Sequence, residues 1–183
     1  RPGGTLRRLT VLASVLILSA CALSPASWQN EDAPWLALPP QALDTPMALQ
    51  QRLTFSHAHG EQSVDALLEC DPDETRLVLH SLGQPLLRLR WDGHHLDSWV
   101  AAQVPVQLRA EQVLSDLQLV YWPTTSIAAA LPSGWTLRTD GANRSLRQHA
   151  EEVVRIRHEH EHILIDHPRA GYRLRIQSVA MPP

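Results

Sequence analysis

Ten histidines are the first residues whose type and spacing could do chemistry. Seven of them gather as His57-Ala58-His59, as His94-His95 and as His158-Glu159-His160-Glu161-His162. On a strand His158, His160 and His162 would share one face, a spacing at which neutral imidazoles bind zinc or copper. The cluster lies between two stretches of strand-like alternation, however, where a polar hairpin tip belongs. A working metal site would also need groups that orient its ligands and a pocket around them. The residues therefore read as a solvated turn, with adventitious metal binding as the alternative. No metal ligand and no cofactor is assigned.

Nucleophilic chemistry has less to build on. There is no Gly-x-Ser-x-Gly elbow and no phosphate-cradling glycine loop. Cys70 alternates with Val64, Ala66 and Leu68, which places it on an apolar face as a small hydrophobe. Two cysteines cannot make a disulfide framework or a cysteine zinc site. Asp116 and Gln118 sit beside an apolar helical stripe, where they would hydrogen-bond either a ligand headgroup or neighbouring helix ends and strands. The expectation is a protein that is not an enzyme. Nor does it suit nucleic acid: its 16 basic residues, all arginine, face 19 acids, for a net charge of −3 and a pI near 6.4.

The elements that must position these residues begin with an address. Arg1, Arg7 and Arg8 precede an apolar run from Leu9 to Leu18 that is too short to remain as a membrane span. Leu18-Ser19-Ala20-Cys21 then resembles a bacterial lipobox, in which cleavage precedes the cysteine and its thiol and new amino group are acylated. Residues 1–20 are thus expected to be a lipoprotein signal peptide and Cys21 the lipidated residue. The opening on Arg1 rather than methionine allows a start upstream. Several acyl chains, each methylene contributing roughly 0.8 kcal/mol, would anchor the chain stably. Ala22 rather than aspartate after the cysteine implies the periplasmic face of the outer membrane. Loss of three arginines would leave 13 against 19 acids, a side-chain charge of −6. Overall charge would then not draw the surface to anionic headgroups, so attachment must come from the lipid.

Residues 21–45 carry Pro25, Pro34, Pro39 and Pro40, followed by Pro46, and show no clear periodicity. They read as a semi-extended tether whose Trp28 and Trp35 touch the domain or the membrane interface. From there to residue 183 the period is mostly two. Leu53, Phe55 and His57 alternate, as do Leu77 and Leu79, then Leu87, Leu89 and Trp91 against Arg88 and Arg90. Val154 and Ile156, Ile163 and Ile165, and Tyr172, Leu174 and Ile176 continue the pattern. Such alternation predicts antiparallel strands with one wet face. Between Arg109 and Tyr121 the spacing of Val113, Leu114, Leu117, Val120 and Tyr121 is helical. Pro123 stops it, and Thr125 or Ser126 is expected to open a short second helix ending at Pro132-Ser133-Gly134. Strands, two helices, then strands predict an α+β fold with helices over one face of a curved sheet.

That order behind a lipobox resembles the outer-membrane lipoprotein-sorting receptor LolB and its periplasmic carrier LolA. Leu114-Ser115-Asp116-Leu117-Gln118-Leu119-Val120-Tyr121-Trp122-Pro123, Leu131-Pro132-Ser133-Gly134-Trp135, Arg90-Trp91-Asp92-Gly93 and Gly171-Tyr172-Arg173-Leu174-Arg175-Ile176 are more closely similar to another family. It comprises proteobacterial lipoproteins encoded with aryl-polyene biosynthesis, and the likeness covers roughly residues 47–180. The resemblance implies an unclosed antiparallel β half-barrel, its concave face lidded by helices. That face would bind an acyl or polyene chain and assist lipid or lipoprotein transfer, or aryl-polyene lipid placement. Its lining is expected from Leu79, Leu89, Trp91, Trp99, Leu117, Val120, Tyr121, Trp122 and Ile165. Implied partners are membrane lipid through Cys21, the hydrophobic ligand, and the lipoprotein-processing and sorting machinery. The receptor's protruding loop with an exposed leucine is reduced here to Ser81-Leu82-Gly83-Gln84-Pro85, with Leu82 its one candidate. The alternative is a structural or docking lipoprotein with a filled core and a protein partner.

Overall fold

A computed structural model describes residues 33–104 and 109–181. The expected signal segment, Cys21 and Trp28 lie outside the described residues. The strands are β1 (Met47–His57), β2 (Gly60–Cys70), β3 (Thr75–Ser81), β4 (Gln84–Trp91), β5 (Leu96–Val100), β6 (Trp135–Asp140), β7 (Asn143–Gln148), β8 (Glu151–His158), β9 (Ile163–His167) and β10 (Tyr172–Ala180). Helices α1 (Ala110–Tyr121) and α2 (Thr124–Ala130) separate β5 from β6, and a 3-10 turn at Pro40–Ala42 precedes β1.

All ten strands make one antiparallel sheet in the order β5-β4-β3-β2-β1-β10-β9-β8-β7-β6. It consists of two five-stranded meanders joined where the first and last strands pair, from Leu49 opposite Ala180 to His57 opposite Tyr172. The outer strands β5 and β6 do not pair with each other, so the barrel stays open. This topology dictates the lid. A flat sheet of this many strands would be roughly 40 Å wide, and the chain must travel from one edge to the other between β5 and β6. It does so across one face, with α1 against β5 and α2 against β6. The expected α+β half-barrel with lidding helices is the observed fold.

Alternation sorts the faces as expected. On β4, Leu87, Leu89 and Trp91 are buried while Arg88 and Arg90 are exposed. The outer face is laced by ion pairs such as Arg52–Asp65 at 2.9 Å, Arg76–Glu69 at 3.0 Å and Arg157–Asp166 at 3.2 Å. Exposed pairs of this kind contribute little each, about 0–1 kcal/mol, and their main effect is to keep that face wet. A bulge between Leu146 and Arg147, opposite Val154 and Glu152, lets consecutive Val153 and Val154 both be buried. The β3–β4 hairpin turns on Leu82 and Gly83, both at positive φ (51° and 76°). That is the backbone of a two-residue primed turn, where asparagine and glycine are the comfortable residues.

Two expectations are corrected. Helix α2 starts at Thr124, one or two residues earlier than the hydroxyl-capped starts at Thr125 or Ser126, and no side chain caps it. Pro123 holds the N-cap position instead, its carbonyl accepting the Ile127 N–H at 3.1 Å, and fully buried Ile127 anchors the turn to the core. Nor is the described part of the tether a free spacer. Leu36, Leu38 and Pro40 are buried, so the packed domain extends well upstream of residue 46.

Candidate functional site: the covered concave face

The floor of the site is set by strand parity. Leu79 from β3, Leu89 and Trp91 from β4 and Ile165 from β9 are buried on the concave side. Helix α1 lowers Leu117 and Val120 onto this floor, and Trp122, which ends the helix, is wholly buried. Tyr121 is half-buried against the same core. Trp99 is the exception and a correction. It pairs in register with Arg88, not with an inward residue, so it stands on the outer face with 49% of its surface exposed. The Arg88 guanidinium lies 5.6 Å from its ring centre, a cation–π contact in place of cavity lining.

Helix α1 is buried nearly all round because a second cover lies along it. Residues 33–43 run over the helix and the β4 side of the sheet as a strap, Leu36 and Leu38 inward and Trp35 and Ala37 outward. Polar residues of α1 hold its backbone. Leu36 N–H donates to Ser115 Oγ at 3.0 Å and Leu38 N–H to Gln118 Oε1 at 3.0 Å. Gln118 Nε2 returns a bond to the Leu38 carbonyl at 2.9 Å, which also accepts Trp91 Nε1 at 2.8 Å. Trp122 Nε1 donates to the Pro39 carbonyl at 3.1 Å. Trp35 packs edge-on against Trp91 with ring centres 6.0 Å apart. The strap ends against Gly93, where an added Cβ would meet Pro40 Cδ at 3.3 Å and the backbone is at φ +94°. Glycine suits that position on both counts.

Elsewhere the cover is tied down by buried polar groups that sequence patterning did not pair. Asp116 Oδ2 lies 3.2 Å from His167 Nε2 and 3.5 Å from the Tyr172 hydroxyl, and Oδ1 accepts Gln112 Nε2 at 2.9 Å. His167 stacks on Tyr172 with ring centres 4.4 Å apart. Burial, reinforced by the Asp116 carboxylate, pushes the Tyr172 phenol far above its ordinary range. Arg144 reaches from β7 to the end of α1, donating to the Leu119 and Trp122 carbonyls at 2.7 and 2.8 Å. It thereby satisfies acceptors that a helix C-terminus leaves free. Tyr121 Oη accepts Gln51 Nε2 at 2.7 Å, and burial raises the Tyr121 hydroxyl above its usual value. The one available signal for His167 was parity, since it follows Ile163 and Ile165 on the inward face.

The residues singled out for chemistry fall apart in space. His57 and His59 flank the β1–β2 turn, His94 and His95 the β4–β5 turn, and Glu159 to His162 form the exposed β8–β9 tip, where His162 pairs with Glu159 at 3.0 Å. Among the described residues no three histidine, cysteine, aspartate or glutamate side chains are placed to hold a metal ion. Cys70 is buried, and burial pushes its thiol up to about 11. Two hollows among the described residues are open to solvent. One, of about 460 Å³, lies at the Glu159–His162 tip; the other, of about 380 Å³, lies at Met47, Cys70 and Met181. The site is thus an apolar concave face filled by helix and strap. Among the described residues no helix is long and apolar enough to cross a membrane.

No curated protein matches the chain. Residues 48–180, which reach every strand and take in both helices, match the family described as protein of unknown function (DUF3261), and the chain belongs to that family.

Proposed function

We propose that the chain is an outer-membrane-anchored lipoprotein whose half-barrel accepts a hydrophobic acyl or polyene chain on its concave face. It would thereby assist placement of a lipid, an aryl-polyene lipid or a lipoprotein at that membrane. The observation that carries this reading is the manner of closure. The apolar face is covered by a lid helix and a strap of the chain's own N-terminal side, not by the sheet curling shut. Covers of that kind can move where a closed barrel cannot. Leu82 adds support: it stands at a hairpin tip with 99% of its surface exposed, in a backbone conformation unfavourable for leucine. An apolar group so placed is suited to touching an apolar surface. The membrane address rests on the basic and apolar opening run, on Leu18-Ser19-Ala20-Cys21 and on Ala22.

The test is native mass spectrometry with lipid extraction on the full chain, purified from a host that makes the candidate lipids. A co-purifying acylated or polyene species is expected, lost in Leu117→Glu when circular dichroism remains that of wild type. A clean protein mass, with no uptake of a fluorescent fatty acid, would sink the carrier reading. Incorporation of an alkyne palmitate that disappears in Cys21→Ser checks the anchor.

A second reading, a docking lipoprotein with a filled core, is favoured by one specific feature. Val179, Leu67, Val78 and Trp99 fall in a single cross-strand row of the outer face, interrupted only by Gln50 and Arg88. A protein partner captured through that row, and lost on Trp99→Ser, would favour this alternative.

A further inference from the structure

We infer that the strap is an internal stand-in for the ligand, and that the slot beneath it selects acyl chains bearing a carbonyl group over bare hydrocarbon. The inference rests on the acyl-binding reading above and adds headgroup chemistry and a mode of displacement. The slot has two halves. Its apolar half is filled by Leu36 and Leu38, both buried. Its polar half carries three N–H donors, beside the Ser115 Oγ and Gln118 Oε1 acceptors that take the Leu36 and Leu38 N–H groups: Gln118 Nε2 and Trp91 Nε1 meet on the Leu38 carbonyl at 2.9 and 2.8 Å, and Trp122 Nε1 meets the Pro39 carbonyl at 3.1 Å. Gln118 and Trp122 are fully buried and Trp91 nearly so.

An indole N–H has no acceptor role to fall back on. A donor stranded in an apolar setting is more costly than the bond itself is favourable. Whatever replaces the strap must therefore bring oxygen acceptors to these three groups. A carboxylate or an ester at the end of an acyl chain does so, placing two oxygens beside an apolar tail just as the strap places two successive carbonyls beside two leucines. A plain hydrocarbon fills only the apolar half. Trp35, half exposed and edge-on to Trp91, is the outer catch of the strap.

The experiment uses the full chain and a fluorescent polyene fatty acid as probe, displaced by palmitic acid, methyl palmitate or hexadecane. Trp35→Ala, and separately Leu36→Ala with Leu38→Ala, should bind the probe about tenfold more tightly than wild type. Palmitic acid and its methyl ester should displace it at least about tenfold better than hexadecane. Adding Gln118→Leu to the double variant should weaken palmitic acid several-fold and leave hexadecane unchanged. Equal binding by wild type and both folded strap variants would overturn displacement while leaving acyl binding intact. Equal potency of palmitic acid and hexadecane would overturn the headgroup selection. Absence of probe binding in every protein would overturn the acyl reading itself, as would a strap-loosened variant that dimerises and takes up nothing. Wild-type protein alone gives a further check. Saturating palmitic acid should speed hydrogen exchange at the Leu36 and Leu38 amides, and bound palmitic acid with unchanged exchange there would overturn the stand-in.

Discussion

Gln118→Leu separates the strap from the sheet more cleanly than any other single change. Gln118 is fully buried and holds Leu38 through both its amide groups. Leucine keeps most of the volume and removes two hydrogen bonds, about 1 kcal/mol each, while leaving the Leu38 N–H buried without an acceptor at a further ~1–3 kcal/mol. The expected loss is about 3–5 kcal/mol. Against it stands a weakly held strap. Burying Leu36 and Leu38 contributes about 5 kcal/mol, and the five strap hydrogen bonds contribute about 5 kcal/mol together. Ordering residues 33–43, at about 1 kcal/mol each, costs roughly 11 kcal/mol. The balance lies within a few kcal/mol of zero, so the substitution should release the strap without unfolding the sheet. Native-state hydrogen exchange reads this directly. The Leu36 and Leu38 amides should exchange on the order of 100-fold faster, because 1.4 kcal/mol is a factor of ten. Amides in the β1–β10 ladder, such as those of Leu53 and Ile176, should keep their protection. Loss of protection in ladder and strap together would refute the reasoning, since the strap would then be part of one cooperative core.

Three further outcomes follow from other contacts. Leu82→Asn should stabilise the protein by about 1 kcal/mol in urea denaturation, because asparagine tolerates the left-handed backbone that leucine adopts at cost; a loss of stability would contradict the turn geometry. Stability should fall as pH rises from about 9 to about 11, where an unfolded Cys70 ionises but the buried folded thiol, raised from 9.0 to about 11, does not. The fall is about 2–3 kcal/mol, and Cys70→Val should remove that share, leaving the same-signed contributions of Tyr121 and Tyr172 at the upper end. Arg144→Met should cost about 2–4 kcal/mol by stranding the Leu119 and Trp122 carbonyls at the end of α1, measured as a lowered midpoint of thermal unfolding.

The strands whose inward side chains are large and regular were legible in the chain. Leu87, Leu89 and Trp91 against two arginines admit one face assignment, and the helical spacing ending at Pro123 admits one lid. The strands β5, β6 and β7 were not picked out, because they bury little: of their residues only Leu146 lies deep in the core. Trp99 was misassigned for a related reason. Without the register of β5 on β4, a tryptophan next to Val100 reads as core. The strap reads as a spacer because its prolines hide a pattern of only two inward residues, and its partners Ser115 and Gln118 lie 79 and 80 positions away. Gln118 and Asp116 were noticed as polar residues on an apolar helix. Their partners, Leu38 and His167, depend on tertiary contacts that local periodicity does not encode.

The junction of β1 with β10 sets the order in which this protein can be completed. A chain made from its N-terminus forms the first meander early, but the inner edge of that meander, strand Met47–His57, stays unpaired until the last strand arrives. Leu49 waits for Ala180, 131 positions further along the sequence. Non-local closure of this kind is slow, and an eleven-residue strand with one edge unpaired is an open template for pairing with other chains. Residues Tyr172–Ala180 therefore act as a keystone. A chain cut before them would keep two half-sheets with raw inner edges and would be expected to aggregate, even though every residue of the lid and strap was present.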